Sequence, residues 1–98
     1  MAAYLIARIR VTDPEAYKEY MKLSPAAIAK YSGRFLVRGG RMETLEGEEE
    51  DRRLVVVAFP DMAAARAFYD SEEYRAARAV RAGAAEADFL IVEGVEEA

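Results

Sequence analysis

The sequence predicts one α+β domain whose elements follow the order β-α-β-β-α-β. Two kinds of observation support this. Runs rich in Ile, Leu, Val and Phe occupy residues 4–11, 34–40, 53–59 and 88–92, and such runs are typical of strands. Helix-start signals follow the first and third runs, where a capping residue adjoins a proline. A chain of 98 residues suffices for one compact domain, residues 1–98, and is too short for two.

The first half of the chain predicts a strand, a helix and a second strand. Residues 4–11 alternate as a strand, and Asp13 with Pro14 begins a helix, because aspartate caps and proline fits the first turn. Ser24-Pro25 interrupts this helix, so we expect a kink or a restart capped by Ser24. Gly33 ends the helical region, and residues 34–40 form the second strand.

The second half of the chain predicts the second strand of a hairpin, a divided helix and a last strand. Residues 53–59 form the third strand, after a polar loop that contains the acidic run 46–51. Asp61 caps a helix over residues 62–69, Ser71 recaps it through residue 82, and Gly83 stops it. Residues 88–92 form the last strand. This order is the split βαβ of ferredoxin-like folds, with a four-stranded antiparallel sheet and both helices on one face.

The strands are apolar on both faces, although two helices can cover only one face of the sheet. Residues 54–59 and 89–92 show no polar alternation, and in the first strand Tyr4 and Ile6 oppose Leu5, Ala7 and Ile9. An uncovered face of this kind would be a large apolar patch for a monomer. We therefore predict a homodimer that packs through the open sheet face about a two-fold axis.

Composition excludes several classes of function. The chain has no cysteine and no histidine, so thiol nucleophiles, thiolate metal sites, histidine-based triads and zinc-hydrolase sites are ruled out. A net charge of −4 without a long basic run argues against nucleic-acid binding. No run approaches the ~20 apolar residues of a membrane span, and Arg8 breaks the apolar start too early for a signal peptide. We expect a cytoplasmic protein with no cofactor, no metal and no membrane partner.

Five short motifs occur in order along almost the whole chain. They are Asp-Pro-Glu-Ala-Tyr at 13–17, Arg-Gly-Gly at 38–40, Glu-Gly at 46–47, Phe-Pro at 59–60 and Tyr-Asp-Ser-Glu-Glu-Tyr at 69–74. Together they resemble the DUF1330 family, which belongs to the dimeric α+β barrel superfamily. The resemblance implies a ferredoxin-like subunit and a dimer whose two sheets form a barrel. It implies no activity, since none is assigned to the family.

The superfamily to which the resemblance leads includes cofactor-independent monooxygenases, haem-degrading enzymes, lactone isomerases and stress-related dimers. Members of the family commonly carry a tryptophan in the loop after residue 47, where this chain has Glu-Glu-Glu-Asp-Arg-Arg at 48–53. The departure implies a more open or differently selective pocket. The axial histidine of haem-degrading relatives has no counterpart here, so haem binding through histidine is excluded.

Arg38 is the first candidate for a ligand-binding residue. Strict alternation places it on one face of its strand with Arg34 and Leu36. If it is buried, its charge needs a carboxylate or a bound anion, because an unpaired buried charge costs several kcal/mol. The functional hypothesis is an anchor for a carboxylate, enolate or phenolate ligand. The structural alternative is an ion pair with Glu43, Asp88 or Glu93.

Tyr31, Tyr74 and Arg81 are the other candidate ligand-binding residues. Tyrosines at helical spacing usually serve as core residues with hydroxyls at the boundary, but phenols beside an arginine can also orient an aromatic or enolic ligand. Arg81 follows Tyr74 by seven residues, on the same helix face, and is the helix arginine expected to turn inward. Gly39-Gly40 lacks the Lys-Ser/Thr of a phosphate loop, and we interpret it as a strand kink or bulge. The acidic run 46–51 lacks EF-hand spacing and is interpreted as solvated loop.

Three functions agree with these features. The preferred hypothesis is binding of a small anionic or aromatic metabolite in a cleft near Arg38. The first alternative is a cofactor-independent monooxygenase or isomerase acting on a phenolic or enolic substrate. There Arg38 would stabilise the substrate anion, and Glu43 or Asp88 would act as base. The second alternative is a structural or interaction role without ligand. A pocket of ~300 Å³ or more beside Arg38 favours the first two, and a filled interior favours the third.

Overall fold

The computed structural model describes residues 1–95 and contains one antiparallel sheet covered by helices on one face. The elements are β1 (Ala3–Val11), α1 (Pro14–Lys30), β2 (Arg34–Arg38), β3 (Arg53–Phe59), α2 (Met62–Asp70), α3 (Glu72–Arg81) and β4 (Ala85–Glu93). The strands lie in the order β2-β3-β1-β4, which is the ferredoxin-like arrangement predicted from the element order. No helix in the described part is long and apolar enough to cross a membrane.

The predicted capping residues lie at the starts of all three helices. Asp13 accepts a hydrogen bond from the Ala16 amide at 3.2 Å, and Asp61 accepts from the Ala64 amide at 2.7 Å. Ser71 separates α2 from α3 and makes two bonds: its hydroxyl accepts from the Tyr74 amide at 3.1 Å and donates to the Phe68 carbonyl at 2.6 Å. Each cap satisfies a backbone donor that a helix start otherwise leaves unpaired.

The helix α1 runs through Pro25 without the predicted restart at Ser24. Proline has no N–H, so the carbonyl four residues earlier, that of Met21, loses its helical partner. Arg38 of β2 supplies a replacement, since its Nη2 donates to the Met21 carbonyl oxygen at 3.4 Å. A side chain from the sheet therefore compensates for the proline inside the helix.

The end of α1 adopts a left-handed turn at Ser32 rather than at the neighbouring glycine. Ser32 has φ 63°, and the Gly33 amide donates to the Ile28 carbonyl at 2.9 Å, as in a Schellman motif. Gly33 is required for a different reason. A Cβ there would lie 2.7 Å from the Phe59 ring and 2.8 Å from Ile28, so glycine allows the turn to pack on the sheet.

Three strands differ from their predicted bounds, while β3 agrees. β1 begins one residue early, at Ala3, and β4 ends one residue late, at Glu93. β2 ends at Arg38, before Gly39 and its positive φ of 71°. β4 begins at Ala85, three residues earlier than predicted, because it pairs with β1 as far as the Val11–Ala85 contact. Alanine has a weak strand propensity, and the tertiary pairing overrides it.

The core lies between the helices and the inner face of the sheet. Alternate residues of β1 are almost fully buried there: Ala3, Leu5, Ala7 and Ile9. The largest fully buried side chains are Tyr74, Phe59, Phe68 and Val57. The rings of the three aromatic residues pack closely, with 4.3 Å between the centroids of Phe68 and Tyr74. This aromatic layer joins α2 and α3 to the sheet.

The outer face of the sheet carries no helix and divides into an apolar half and a charged half. The apolar half consists of Tyr4, Ile6, Val37, Val56, Leu90 and Val92, of which Leu90 is 47% exposed and Val92 44%. The charged half is a network at the other end of the strands. Glu50 contacts Arg8 at 3.0 Å and Arg52 at 3.0 Å, and Arg52 contacts Asp88 at 2.7 Å. The end of the acidic run therefore folds back onto the sheet instead of remaining solvated.

Candidate functional site

A narrow cleft lies between α1 and the inner face of β2 and β3. Side chains of α1 form one wall of it, and inward-facing side chains of the sheet form the other. Its wall is chiefly apolar and aromatic, with the polar side chains Tyr17, Tyr20, Ser24, Arg38, Arg53 and Tyr74. The open space inside measures about 30 Å³, room for roughly two water molecules. This is well below the ~300 Å³ of a typical ligand pocket.

A β-bulge directs Arg38 into this cleft. Phe35 pairs with Val57, but Val37 pairs with Val56 and Arg38 with Val55, so the register shifts at Leu36. One extra residue inverts the alternation that follows it. The prediction that Arg38 shares a face with Arg34 and Leu36 was therefore wrong. The bulge lies at Leu36, whereas Gly39-Gly40, predicted as a kink or bulge, follows the end of β2, where Gly39 has φ 71°. Arg38 lies on the helix-facing side with Phe35.

Arg38 sits at the mouth of the cleft without a carboxylate partner. Its guanidinium lies 4.5 Å from the centre of the Phe35 ring and donates only to the Met21 carbonyl. Two of the predicted ion-pair partners are engaged elsewhere: Glu43 pairs with Arg41 at 3.6 Å and Asp88 with Arg52. Within residues 1–95 no carboxylate, Glu93 included, lies within ion-pair distance of Arg38.

Arg53 is a second cleft arginine, which the sequence analysis did not single out. It begins β3 opposite Ile9, on the same face as Val55 and Val57. Its Nε is buried and has no hydrogen-bond partner in the described part of the chain. Counting back by twos from the buried Phe59 would have placed Arg53 on the inner face. Its position beside Arg52 made it resemble the charged end of a loop instead.

Arg81 turns inward from α3, as its position after Tyr74 predicted. Its guanidinium lies 4.6 Å from the Phe89 ring centre and 5.6 Å from that of Tyr20. Both rings line the cleft, so Arg81 stands behind its wall. The Nε of Arg81 is buried and, among the described residues, unpartnered.

Three tyrosines, Tyr17, Tyr20 and Tyr74, line the cleft. The hydroxyls of Tyr20 and Tyr74 form a buried hydrogen bond of 2.5 Å. Burial raises the pKa of Tyr20 and of Tyr74. Burial also raises the pKa of Tyr17, although the nearby guanidiniums of Arg53, Arg81 and Arg38 act to lower it. All three phenols therefore remain protonated at neutral pH.

The structure brings three of the four candidate residues to the cleft and places the fourth elsewhere. Arg38 and Tyr74 line it, and Arg81 borders it. Tyr31 is half-buried at the end of α1, where its ring packs edge-on against Phe68 with centroids 6.5 Å apart. Its hydroxyl is near Glu73, on the outside of the helix layer.

The cleft has no acidic group. Neither Glu43 nor Asp88, the bases proposed for the enzymatic alternative, lies among the lining residues, and no other described carboxylate does. No cluster of ligating side chains within residues 1–95 could hold a metal ion. The site offers positive charge, phenolic donors and an apolar wall.

Several solved structures share this fold. A protein of unknown function from Rhodopseudomonas palustris superposes with a TM-score of 0.76 at 18% identity, over 98% of this chain and 84% of that one. SnoaB, a cofactor-independent oxygenase from Streptomyces nogalater, has a TM-score of 0.69 at 11% identity, over 98% and 95%. A dimeric ferredoxin-like protein of unknown function from Thermobifida fusca has a TM-score of 0.57 at 20% identity, over 95% and 91%.

The sequence itself identifies the family. A search of curated proteins found no match. The family model described as "Domain of unknown function (DUF1330)" matches residues 2–95, nearly the whole chain, and agrees with the motifs noted above. This protein is therefore a member of the DUF1330 family.

Proposed function

We propose that this protein binds a small anionic organic molecule with an apolar or aromatic body in the cleft beside Arg38. The observation that carries the proposal is a cluster of unpaired positive charge. The guanidiniums of Arg38 and Arg53 line the cleft and that of Arg81 lies behind its wall, and none has a carboxylate partner among the described residues. Of the other eight arginines, three also have none within residues 1–95, namely Arg34, Arg75 and Arg78, and five have one, namely Arg8, Arg10, Arg41, Arg52 and Arg66. A bound anion would supply the missing charge.

The wall of the cleft supports an apolar body for this ligand. Leu5, Ile9, Val55, Phe35 and Phe89 line it, and such surfaces favour aliphatic or aromatic groups. The hydroxyls of Tyr20 and Tyr74 share one hydrogen bond, which leaves the O–H of the accepting phenol as a donor for a ligand. A ligand with one anionic group and one apolar group therefore matches the surface of the cleft.

A ligand enters this cleft by displacing Arg38. The open space is about 30 Å³, whereas the cleft with its solvent-filled mouth encloses about 420 Å³ between atoms. Arg38 is exposed, and its single hydrogen bond, to Met21, is long at 3.4 Å and therefore weak. Moving this side chain opens the mouth at little cost, and the ligand's anion replaces the Met21 carbonyl as its partner.

Binding fits the site better than proton-abstracting catalysis. A monooxygenase or isomerase that deprotonates its substrate needs a base within reach. Among residues 1–95 no carboxylate lines the cleft, and its phenols hold their protons because burial raises the pKa of Tyr17, Tyr20 and Tyr74. SnoaB shares the fold of this protein at 11% identity, and a shared fold does not indicate that the cleft contains a base.

A purely structural role is the second candidate, and the small volume of the cleft favours it. With about 30 Å³ open, the interior is nearly filled. In that role, Arg38 would serve only to pair the carbonyl that Pro25 leaves free. The binding function predicts a bound small molecule and the structural role predicts none. A mass measurement therefore distinguishes the two.

We further propose that two copies pack through the apolar half of the outer face. Tyr4, Ile6, Val56, Leu90 and Val92 form this contiguous surface without a covering helix. Surfaces of this kind on soluble domains usually meet a partner, and two-fold homodimers are the commonest assembly. The similarity in fold to the dimeric protein from Thermobifida fusca supports a second copy as the partner.

Native mass spectrometry of gently purified protein, followed by denaturing measurement, tests the binding proposal. We expect a small additional mass in the native spectrum that denaturation releases. The Arg38→Met variant should lose it, and the matched Arg66→Met variant should keep it, since Arg66 pairs with Asp70 on the surface. Protein that stays empty, with thermal stability lowered by Arg38→Met alone, would instead support the structural role.

A further inference from the structure

Arg53 and Arg38 both line the cleft but differ in their burial and position. Arg38 is exposed at the mouth, whereas Arg53 is partly buried at the start of β3; its Nε is buried without a hydrogen-bond partner, and no carboxylate among the described residues pairs with it. The surface of the cleft beside it is apolar, including Ile9 and Val55. A guanidinium held there without a counter-charge is unfavourable unless something anionic joins it.

Gly39, which directly follows β2, leaves space for the Arg53 guanidinium. A Cβ at Gly39 would lie 2.7 Å from the Arg53 guanidinium carbon, closer than non-bonded carbons approach. Gly39 also has φ 71°, which other residues adopt only with strain. Its amide donates to the Leu54 carbonyl at 2.9 Å, which fixes the chain beside Arg53. Gly39 therefore forms a recess that holds Arg53 toward the cleft.

Tyr17 of α1 provides a donor on the opposite wall. Tyr17 and Arg53 line the same cleft, and the Arg53 guanidinium acts to lower the pKa of the Tyr17 phenol through its charge and a side-chain hydrogen bond. The phenol keeps its proton, because burial raises the pKa of Tyr17. A protonated phenol and a guanidinium facing one space are both donors, and both suit the oxygens of a carboxylate.

We infer that Arg53, held in its recess by Gly39 and assisted by Tyr17, is the specificity-determining residue that seats the carboxylate of a small monocarboxylic acid. This inference rests on the proposed function and narrows its ligand class. The acid's apolar body lies against Ile9 and Val55, while Arg38 closes the mouth after entry. The cleft then discriminates between a charged acid and a neutral molecule of the same shape.

Benzoate and benzamide are matched probes, because they share size and ring and differ in charge. Titration of ¹⁵N-labelled protein with each, followed by amide chemical shifts at the cleft, gives two affinities. A charge-assisted hydrogen-bonded contact predicts that benzoate binds about tenfold more tightly or better. In Arg53→Met this preference should disappear while benzamide affinity stays the same. In the surface control Arg66→Met the preference should persist.

Two further variants make the test specific. Arg53→Lys restores the charge and should recover part of the preference for benzoate. Gly39→Ala fills the recess and should reduce that preference although Arg53 is intact. Thermal unfolding of Arg53→Met serves as the folding check. Loss of an unpaired charge should leave its stability equal or higher, whereas a structural arginine would lower it.

The alternative outcomes are distinct. Equal affinities for both probes at the cleft would overturn the role of Arg53 and leave the proposed binding function intact. A benzoate preference that survives Arg53→Met but is lost in Arg81→Met would move the anion seat to Arg81 and overturn the inference. No cleft shift with either probe at millimolar concentration would overturn a monocarboxylate ligand. An empty native mass spectrum in addition would overturn the binding function itself.

Discussion

At the scale of single residues, the hydroxyls of Tyr20 and Tyr74 form a short, buried hydrogen bond between two helices. The two oxygens are 2.5 Å apart and Tyr74 is 1% exposed, so neither hydroxyl can turn to water. Each phenol thus depends on the other for its hydrogen bond. The pair also links the middle of α1 to α3 across the inner end of the cleft.

Removing one hydroxyl of this pair should destabilise the protein more than removing both. Tyr74→Phe leaves the buried Tyr20 hydroxyl unpaired, and we expect the free energy of unfolding to fall by ~1–2 kcal/mol. The double variant Tyr20→Phe, Tyr74→Phe should recover part of that loss. Urea denaturation at fixed protein concentration measures both. Tyr69→Phe is the matched control, since within residues 1–95 its hydroxyl makes no hydrogen bond. Strictly additive losses would contradict the coupling.

The buried phenols also predict a loss of stability in alkali. Tyr17, Tyr20 and Tyr74 have pKa values raised by burial in the folded protein, against 10.0 for an unperturbed tyrosine. Their contribution is complete below pH 10.0 and falls as the pH rises above it, because only the unfolded chain then ionises readily. The urea midpoint should therefore drop above pH 10.0, and less steeply in the double phenylalanine variant. A midpoint that is constant across this range would disprove the effect.

The candidate residues show what can be recognised from sequence. Arg38 stands out because it precedes two glycines within an apolar strand, and Arg81 because it follows Tyr74 on one helix face. Arg53 could have been found by counting back from Phe59, but its neighbours are charged and concealed it. The lack of carboxylate partners for these arginines is a three-dimensional fact that no spacing along the chain reveals.

At the scale of elements, α1 and β2 illustrate two irregularities that compensate for one another. Pro25 removes the amide that would pair with the Met21 carbonyl, and the bulge at Leu36 brings Arg38 to that carbonyl. The sequence shows the proline but does not show that the helix continues through it. The bulge has no marker in the sequence, because Leu36 is an ordinary strand residue.

Replacing Pro25 by alanine should stabilise α1 and release Arg38. Alanine restores the amide and a favourable helix residue, and we expect the free energy of unfolding to rise by ~1 kcal/mol or more. The Met21 carbonyl then no longer needs Arg38, so the cleft mouth should open more easily and benzoate should associate faster. Urea denaturation and NMR line shapes measure the two effects. Pro60→Ala lies outside any helix and serves as control. A less stable Pro25→Ala protein would refute the compensation.

At the scale of the whole molecule, the sheet separates two surfaces with different tasks. Its inner face meets the helices and carries the cleft, and its outer face carries the apolar half and the charged network. The apolar residues on both faces of β1 and β3 predicted a core on one side and an apolar surface on the other, but not the charged network. The ligand could not be predicted either, because a chain without histidine, cysteine or a nucleotide motif leaves only charge and shape to recognise it.

A lysine at the centre of the outer face should separate the proposed dimer. Ile6 lies between Val56 and Leu90, so Ile6→Lys places a charge inside the apolar half. We expect size-exclusion chromatography with light scattering to report a monomer that retains its helical circular dichroism. Leu45→Lys, in the exposed loop at 89% exposure, should remain dimeric. A monomeric wild-type protein at micromolar concentration would eliminate the dimer.

The bulge at Leu36 makes the chain length of β2 tolerant of one deletion. If that one residue were deleted, Phe35 could stay paired with Val57, Val37 with Val56 and Arg38 with Val55, now as a regular ladder. Arg38 would then still face the cleft, and Val37 would still lie on the outer face. We expect such a deletion to preserve ligand binding and dimerisation, which paired titration and chromatography would detect; loss of both in a folded variant would contradict this. An in-frame loss of the Leu36 codon would thus be tolerated, because it removes an irregularity without reassigning any side chain that remains.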